Sequence, residues 1–141
     1  ARYCGKLAGL YPKNDDLKAA LIDQVLDGVN DINMKISPTI RERDPAKRTA
    51  MRQDLAMSAI PLWLGQMQSL LKEHGKNGFI VGDSITIADI ALWRVYGWLT
   101  SGKIDDIPST VADFYLELQS HFQKIDSEPK VREWMDLKYK K

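Results

Sequence analysis

Phe79-Ile80-Val81-Gly82-Asp83-Ser84-Ile85-Thr86-Ile87-Ala88-Asp89-Ile90 is the stretch on which the fold turns. Thr86 stands as a helix N-cap and Asp89 three residues further on, so each side chain can take up an amide left free at the helix start. Ile85 before the cap and Ile90 after Asp89 make the hydrophobic-staple pair of such a start. The helix they open is predicted to run to about residue 99. It is apolar almost all round, through Ala91, Leu92, Trp93, Val95, Tyr96 and Trp98, which means burial on more than one side. With Asp89 and Arg94 inside about 15 residues, it is too short and too polar to cross a bilayer. It reads as the central core helix, with Trp93, Tyr96 and Trp98 as core aromatics.

Working outward, Gly, Pro and Asn clusters cut the rest of the chain into further helical segments. Upstream, His74-Gly75-Lys76-Asn77-Gly78 reads as a turn. Before it a long helix is predicted over residues 45–73, bent by Pro61 in its interior. Asp15 or Asp16 caps an earlier helix running to about residue 41, which Pro38 kinks or ends. Its apolar positions Ile22, Val25, Val29, Ile32 and Ile36 step by three and four, with Asp23, Asp27 and Asp31 on the opposite face. Downstream, two shorter helices are expected over residues 108–124 and 127–137, the second with Pro129 in its first turn, where proline is tolerated. No segment alternates with the period of two that marks a strand, and no repeat appears, so the fold class is all-α. Residues 1–11 read as the end of a helix that no capping residue precedes. The chain is therefore expected to begin inside an element of something longer.

Composition narrows the function. Twenty basic residues against nineteen acidic ones leave a net charge of +1, which gives no electrostatic footprint for nucleic acid or an anionic membrane surface. No apolar run reaches the roughly 18 residues of a membrane span, and no secretory signal is visible. A single cysteine, Cys4, excludes an internal disulfide and suits a reducing compartment, hence the cytoplasm. His74 and His121 lie far apart, so no metal site is expected on them.

Taken together, these segments resemble the C-terminal domain of cytosolic glutathione transferases of the sigma, pi and alpha kind. That family joins a thioredoxin-like N-terminal domain to an all-helical one, whose core helix opens with a Ser/Thr-x-x-Asp capping box and staple. The stretch from Phe79 to Asp89 is similar to that element position by position. Arg2-Tyr3, Gly5 and Gly9-Leu10-Tyr11 resemble the end of the last N-domain helix and the linker. Ala19-Ala20-Leu21-Ile22-Asp23 through Asp27-Gly28-Val29-Asn30-Asp31 resembles the first C-domain helix, and Glu128-Pro129-Lys130-Val131 the start of the final one. The resemblance implies that residues 1–11 end the N-terminal domain and residues 12–141 form the helical domain, a glutathione transferase C-terminal-like bundle. The thioredoxin-like domain is absent from the chain.

Site residues follow from the resemblance, position by position. The family's catalytic hydroxyl and its γ-glutamyl-binding pair lie in the upstream domain, so no catalytic residue is expected here. Asp31 matches the carboxylate that reaches the γ-glutamyl ammonium of glutathione bound by the neighbouring subunit. Read from the residues alone, Asp23, Asp27 and Asp31 equally suit an ordinary solvated face. Asp23 and Asp27, with Arg2 and Lys6, match positions at a two-fold interface, where the basic edge of one subunit would meet the acidic stripe of the other. Met34, Ser37 and Arg41 match the wall of the hydrophobic-substrate pocket. Some sigma-like relatives hold a divalent cation on an acidic cluster, but Asn30 replaces one carboxylate, so no metal is expected.

The implied function is that of a homodimeric enzyme conjugating glutathione, as co-substrate, to hydrophobic electrophiles in detoxification. This segment then supplies the interface and pocket wall and is inactive alone. The alternatives are a non-catalytic docking domain of the elongation factor gamma or synthetase kind, and a crystallin-like structural protein. Asp31 beside Gly28-Val29-Asn30 favours the enzyme.

Overall fold

The computed structural model describes residues 1–139, which fold as seven helices with no strand. They are α1 (Arg2–Ala8), α2 (Asp16–Arg41), α3 (Pro45–Met57), α4 (Ala59–His74), α5 (Ile87–Thr100), α6 (Leu116–Ser127) and α7 (Pro129–Tyr139). The chain is thus an all-helical bundle, as the spacing of its apolar residues requires. Helix α5 packs against α2 and α6, and α4 closes the core against α2 and α6.

The predicted stripe of α2 is the buried face: Ile22, Val25, Val29, Ile32 and Ile36 all lie in the core. Each such side chain contributes about 1.5–3 kcal/mol by leaving water. Asp15 is the N-cap, its carboxylate accepting from the Lys18 amide at 2.9 Å. Pro38 neither ends nor breaks α2. The helix continues to Arg41, one turn beyond it, where the Glu42 amide donates to the Pro38 carbonyl at 3.1 Å.

Two boundaries differ from expectation. The helix predicted over 45–73 is two helices, parted at Ser58 (φ −122°, ψ −80°). Pro61 has no amide to donate to Met57, and its ring crowds that carbonyl, so the break falls three residues before the proline. Pro61 then sits in the first turn of α4, where its missing donor costs nothing. The helix expected from 108 begins only at Leu116. Before it the chain makes turns, with Val111 bonded back to Pro108, Asp113 to Thr110 and Tyr115 to Ala112. Burial of Ala112 and a 2.8 Å bond from the Tyr115 hydroxyl to the Pro61 carbonyl pin this stretch onto α4 in place of a helical turn.

The start of α5 is the best-satisfied helix end in the molecule. The Ile87 amide donates to the Leu10 carbonyl at 3.0 Å, the Ala88 amide to the Thr86 hydroxyl, and the Thr86 amide to Asp89. The linker after α1 is thereby tied to the core helix. A Cβ on Gly5 of α1 would lie 2.9 Å from Ile87, so α1 docks on α5 through a glycine.

Candidate functional site

The exposed face of α2, opposite its buried stripe, carries the sequence-predicted residues one turn after another. Asp23 is the most enclosed. Its Oδ1 accepts from Arg2 Nε at 2.7 Å and from the Tyr11 hydroxyl at 3.1 Å. The Asp23 carboxylate holds the Arg2 guanidinium above its ordinary pKa, and burial followed by the Asp23 bond pushes the Tyr11 phenol up. Asp27 is exposed and reaches Arg2 Nη2 at 3.8 Å. Arg2 therefore meets both carboxylates within its own chain, where the sequence suggests a meeting across a two-fold interface. Lys6 stands over the Tyr11 ring, 5.7 Å from its centroid.

Asp31 differs from its two neighbours. It is exposed and makes no ion pair among the described residues. It lines an open groove of about 870 Å³ between α2 and α4, with Asp27, Gly28, Gly65, Gln66 and Glu73. The floor follows from Gly28: a Cβ there would lie 2.8 Å from Met67 Cε, so the missing side chain lets α4 come close. Trp63 secures the approach by donating its indole N–H to the Gly28 carbonyl at 2.8 Å. Among the described residues the lining of this groove holds three carboxylates, of which Asp27 already reaches Arg2, and no Lys or Arg, which suits an ammonium group.

Continuing along α2, Met34, Ser37 and Arg41 line a second open groove of about 650 Å³ with Pro38, Glu42 and Arg43. The Ser37 hydroxyl donates to the Asn33 carbonyl at 2.7 Å and keeps its lone pairs for an incoming donor. Among the described residues, no three His, Cys, Asp or Glu side chains are arranged to hold a metal ion.

Thr86 and Asp89 form the capping box, both halves of it. Asp89 does more than cap. It is fully buried, and Oδ1 also accepts from the Ile80 amide at 2.8 Å and from His121 Nε2 at 2.9 Å, while Oδ2 takes the Thr86 amide and hydroxyl. A carboxylate can only accept, so the His121 Nε2 carries the proton. This buried pair ties α6 to the start of α5. Sequence reasoning missed His121, because its partner lies 32 residues away and nothing local marks it.

Comparison with known proteins follows the same lines. A family described as "Glutathione S-transferase, C-terminal domain" matches residues 30–138. The chain is 31% identical over 138 residues to glutathione S-transferase P of Bos taurus, covering 95% of this chain and 59% of that protein. The chain thus spans somewhat more than half the length of the relative it matches. Its fold is similar to prostaglandin synthase D of Nilaparvata lugens, with TM-score 0.81 and 24% identity over 96% of this chain and 64% of that one. It is also similar to a monomeric glutathione S-transferase of the hookworm Necator americanus, with TM-score 0.74 and 26% identity over 96% of this chain and 64% of that one.

Proposed function

This chain belongs to the glutathione S-transferase C-terminal domain family, and on that premise we propose that it is the helical part of an enzyme conjugating glutathione to hydrophobic electrophiles. The setting is cytoplasmic detoxification. The observation that carries the reading is Asp31, which alone among the three aspartates of the α2 stripe has no cation partner among the described residues and stands at an open groove. Its role is to hold the γ-glutamyl ammonium of glutathione bound mainly by the neighbouring subunit. Such a charge-assisted hydrogen bond contributes about 1.5–3 kcal/mol.

Bond formation runs between the glutathione sulfur, as thiolate, and the electrophilic carbon of the acceptor, whose leaving group or π-electrons take the electron pair. The hydroxyl that stabilises the thiolate belongs to the upstream domain, so no residue of this chain is catalytic and the chain alone is inactive. Met34 offers a polarizable, adaptable surface to an apolar acceptor. Arg41 places positive charge where negative charge develops on that acceptor. Residues 1–11 end the N-terminal domain, and residues 12–141 form the helical one.

The working form is a homodimer, with Arg2, Lys6, Asp23 and Asp27 at a self-complementary interface. The Arg2 pairing with Asp23 and Asp27 pre-forms that patch within each subunit. No metal takes part. Among the described residues no helix is long and apolar enough to cross a membrane.

The test is conjugation of glutathione to a generic aryl halide by the protein carrying its upstream domain, beside the 141-residue chain alone. Turnover is expected for the first, and none above buffer for the second. Turnover by the chain alone, or none by either, overturns the reading; the latter result favours a docking module.

A further inference from the structure

Between α4 and α5 the chain reverses at Lys76-Asn77-Gly78-Phe79, and both central residues hold left-handed backbone, Asn77 at φ 53° and Gly78 at φ 80°. The Phe79 amide donates to the Lys76 carbonyl at 3.0 Å and closes the turn. Positive φ at two successive positions is type I′ geometry, which asparagine followed by glycine adopts with least strain. Two further bonds brace it, from the Lys76 amide to the Gly82 carbonyl at 2.8 Å and from the Gly82 amide to the His74 carbonyl at 2.9 Å. Lys124 of α6 clasps the turn from outside. Its ammonium stands 4.5 Å from the centre of the Phe79 ring, and a Cβ on Gly78 would lie 2.8 Å from its Cδ.

The same two residues carry a reaction. Asn77 and Gly78 are exposed, and neither the Asn77 side-chain amide nor the Gly78 N–H has a hydrogen-bond partner among the described residues. With no Cβ on Gly78, nothing shields its nitrogen. Once that nitrogen has given its proton to hydroxide, it can bond to Asn77 Cγ and close a five-membered succinimide. The bond from Cγ to the side-chain nitrogen breaks, and that nitrogen leaves with the electron pair, taking a proton from water to become ammonia. Water then opens the ring at either carbonyl. Addition at Cγ leaves an aspartyl side chain, and addition at the backbone carbonyl leaves an isoaspartyl link that routes the main chain through Cβ and Cγ. The other asparagines lack this opening: Asn30 and Asn33 lie inside α2, and Asn14 precedes Asp15, whose side chain crowds its nitrogen.

The succinimide ring holds the asparagine ψ outside the left-handed region, so the closed turn must open before the ring can form. We propose that Asn77 is a spontaneous deamidation site of the folded protein, gated by the opening of this turn. The isoaspartyl product adds a backbone carbon to a turn whose two-residue length sets its register. Three residues on, the Ile80 amide donates to the buried Asp89 at 2.8 Å, so the product loosens the start of α5.

The test is to age the protein with its upstream domain in mildly alkaline buffer and map its peptides by mass spectrometry, beside a free peptide of residues 74–82. The segment holding Asn77 should lose ammonia, gain water and yield both products, ahead of every other asparagine. Conversion should be slower in the folded protein than in the free peptide. Lys124→Ala frees the turn from α6 and, while circular dichroism shows it folded, should speed conversion roughly two- to five-fold. Asn77→Gly keeps the turn geometry and cannot react, so its urea midpoint should survive ageing while the parent's falls. The proposal is overturned by an unreacted Asn77, by earlier conversion at another asparagine, by a folded rate equal to the free peptide's, or by a rate indifferent to Lys124. Equal loss of midpoint in the parent and Asn77→Gly overturns the link to α5.

Discussion

Asp89 holds four donors on two oxygens inside the core, so its removal strands more than a helix cap. Thr86→Ala loses the bond its hydroxyl accepts from the Ala88 amide and the one it donates to Asp89, and the expected cost is about 1–2 kcal/mol. Asp89→Ala also strands the Ile80 amide and the His121 Nε2–H, and about 3–5 kcal/mol is expected, as for a broken buried pair. Urea midpoints of the two variants check the order. Equal losses would mean that the His121 and Ile80 bonds contribute nothing beyond the cap. The box itself was legible in the sequence, because an N-cap and its partner are three residues apart and the chemistry is local. His121 was not legible. A histidine on an isolated helix reads the same whether its partner is water or a carboxylate brought in from another helix.

At the scale of elements, two glycines test how helices meet. A Cβ on Gly28 would press on the flexible end of Met67, 2.8 Å away, whereas a Cβ on Gly97 would press on the Phe122 ring edge at 2.7 Å. That ring lies beside Tyr96, with centroids 5.2 Å apart, and must shift as a whole, where the end of Met67 can simply swing aside. Alanine gains about 1 kcal/mol over glycine in a helix, and overpacking costs about 1–3 kcal/mol. Gly28→Ala should therefore be near neutral, and Gly97→Ala destabilising by about 1–2 kcal/mol. Thermal melts of the pair read this contrast, and matching melting temperatures would contradict it. Helix existence was legible wherever an apolar stripe repeats at three and four, as in α2 and α5. Helix ends were less so. The Ser58 break precedes the proline that causes it, and the turns before Leu116 depend on Tyr115 finding the α4 carbonyl of Pro61.

For the whole molecule, sequence pattern placed the outward face of α2 correctly, because the face opposite a buried stripe must meet something else. It could not rank the three aspartates on that face. The ranking comes from tertiary structure: Arg2, some twenty residues earlier, takes Asp23 and reaches Asp27, and leaves Asp31 uncommitted. If α2 lies at a two-fold interface, Asp27→Lys should weaken self-association of the protein with its upstream domain. It sets lysine beside Arg2 and, across the two-fold, near its own copy. Sedimentation velocity would show the shift toward monomer. An unchanged dimer would place the interface elsewhere, and a parent protein that is already monomeric would resemble the hookworm relative.

The proposed role of Asp31 links fold to function, and calorimetric titration of glutathione tests it most directly. The protein with its upstream domain is compared with its Asp31→Asn variant, which keeps the side-chain shape and removes the charge. Affinity should fall roughly five- to a hundred-fold. The melting temperature without ligand should scarcely move, since an exposed charge without a partner adds little to folding. Equal affinities in the two proteins would contradict the account and return Asp31 to an ordinary solvated face.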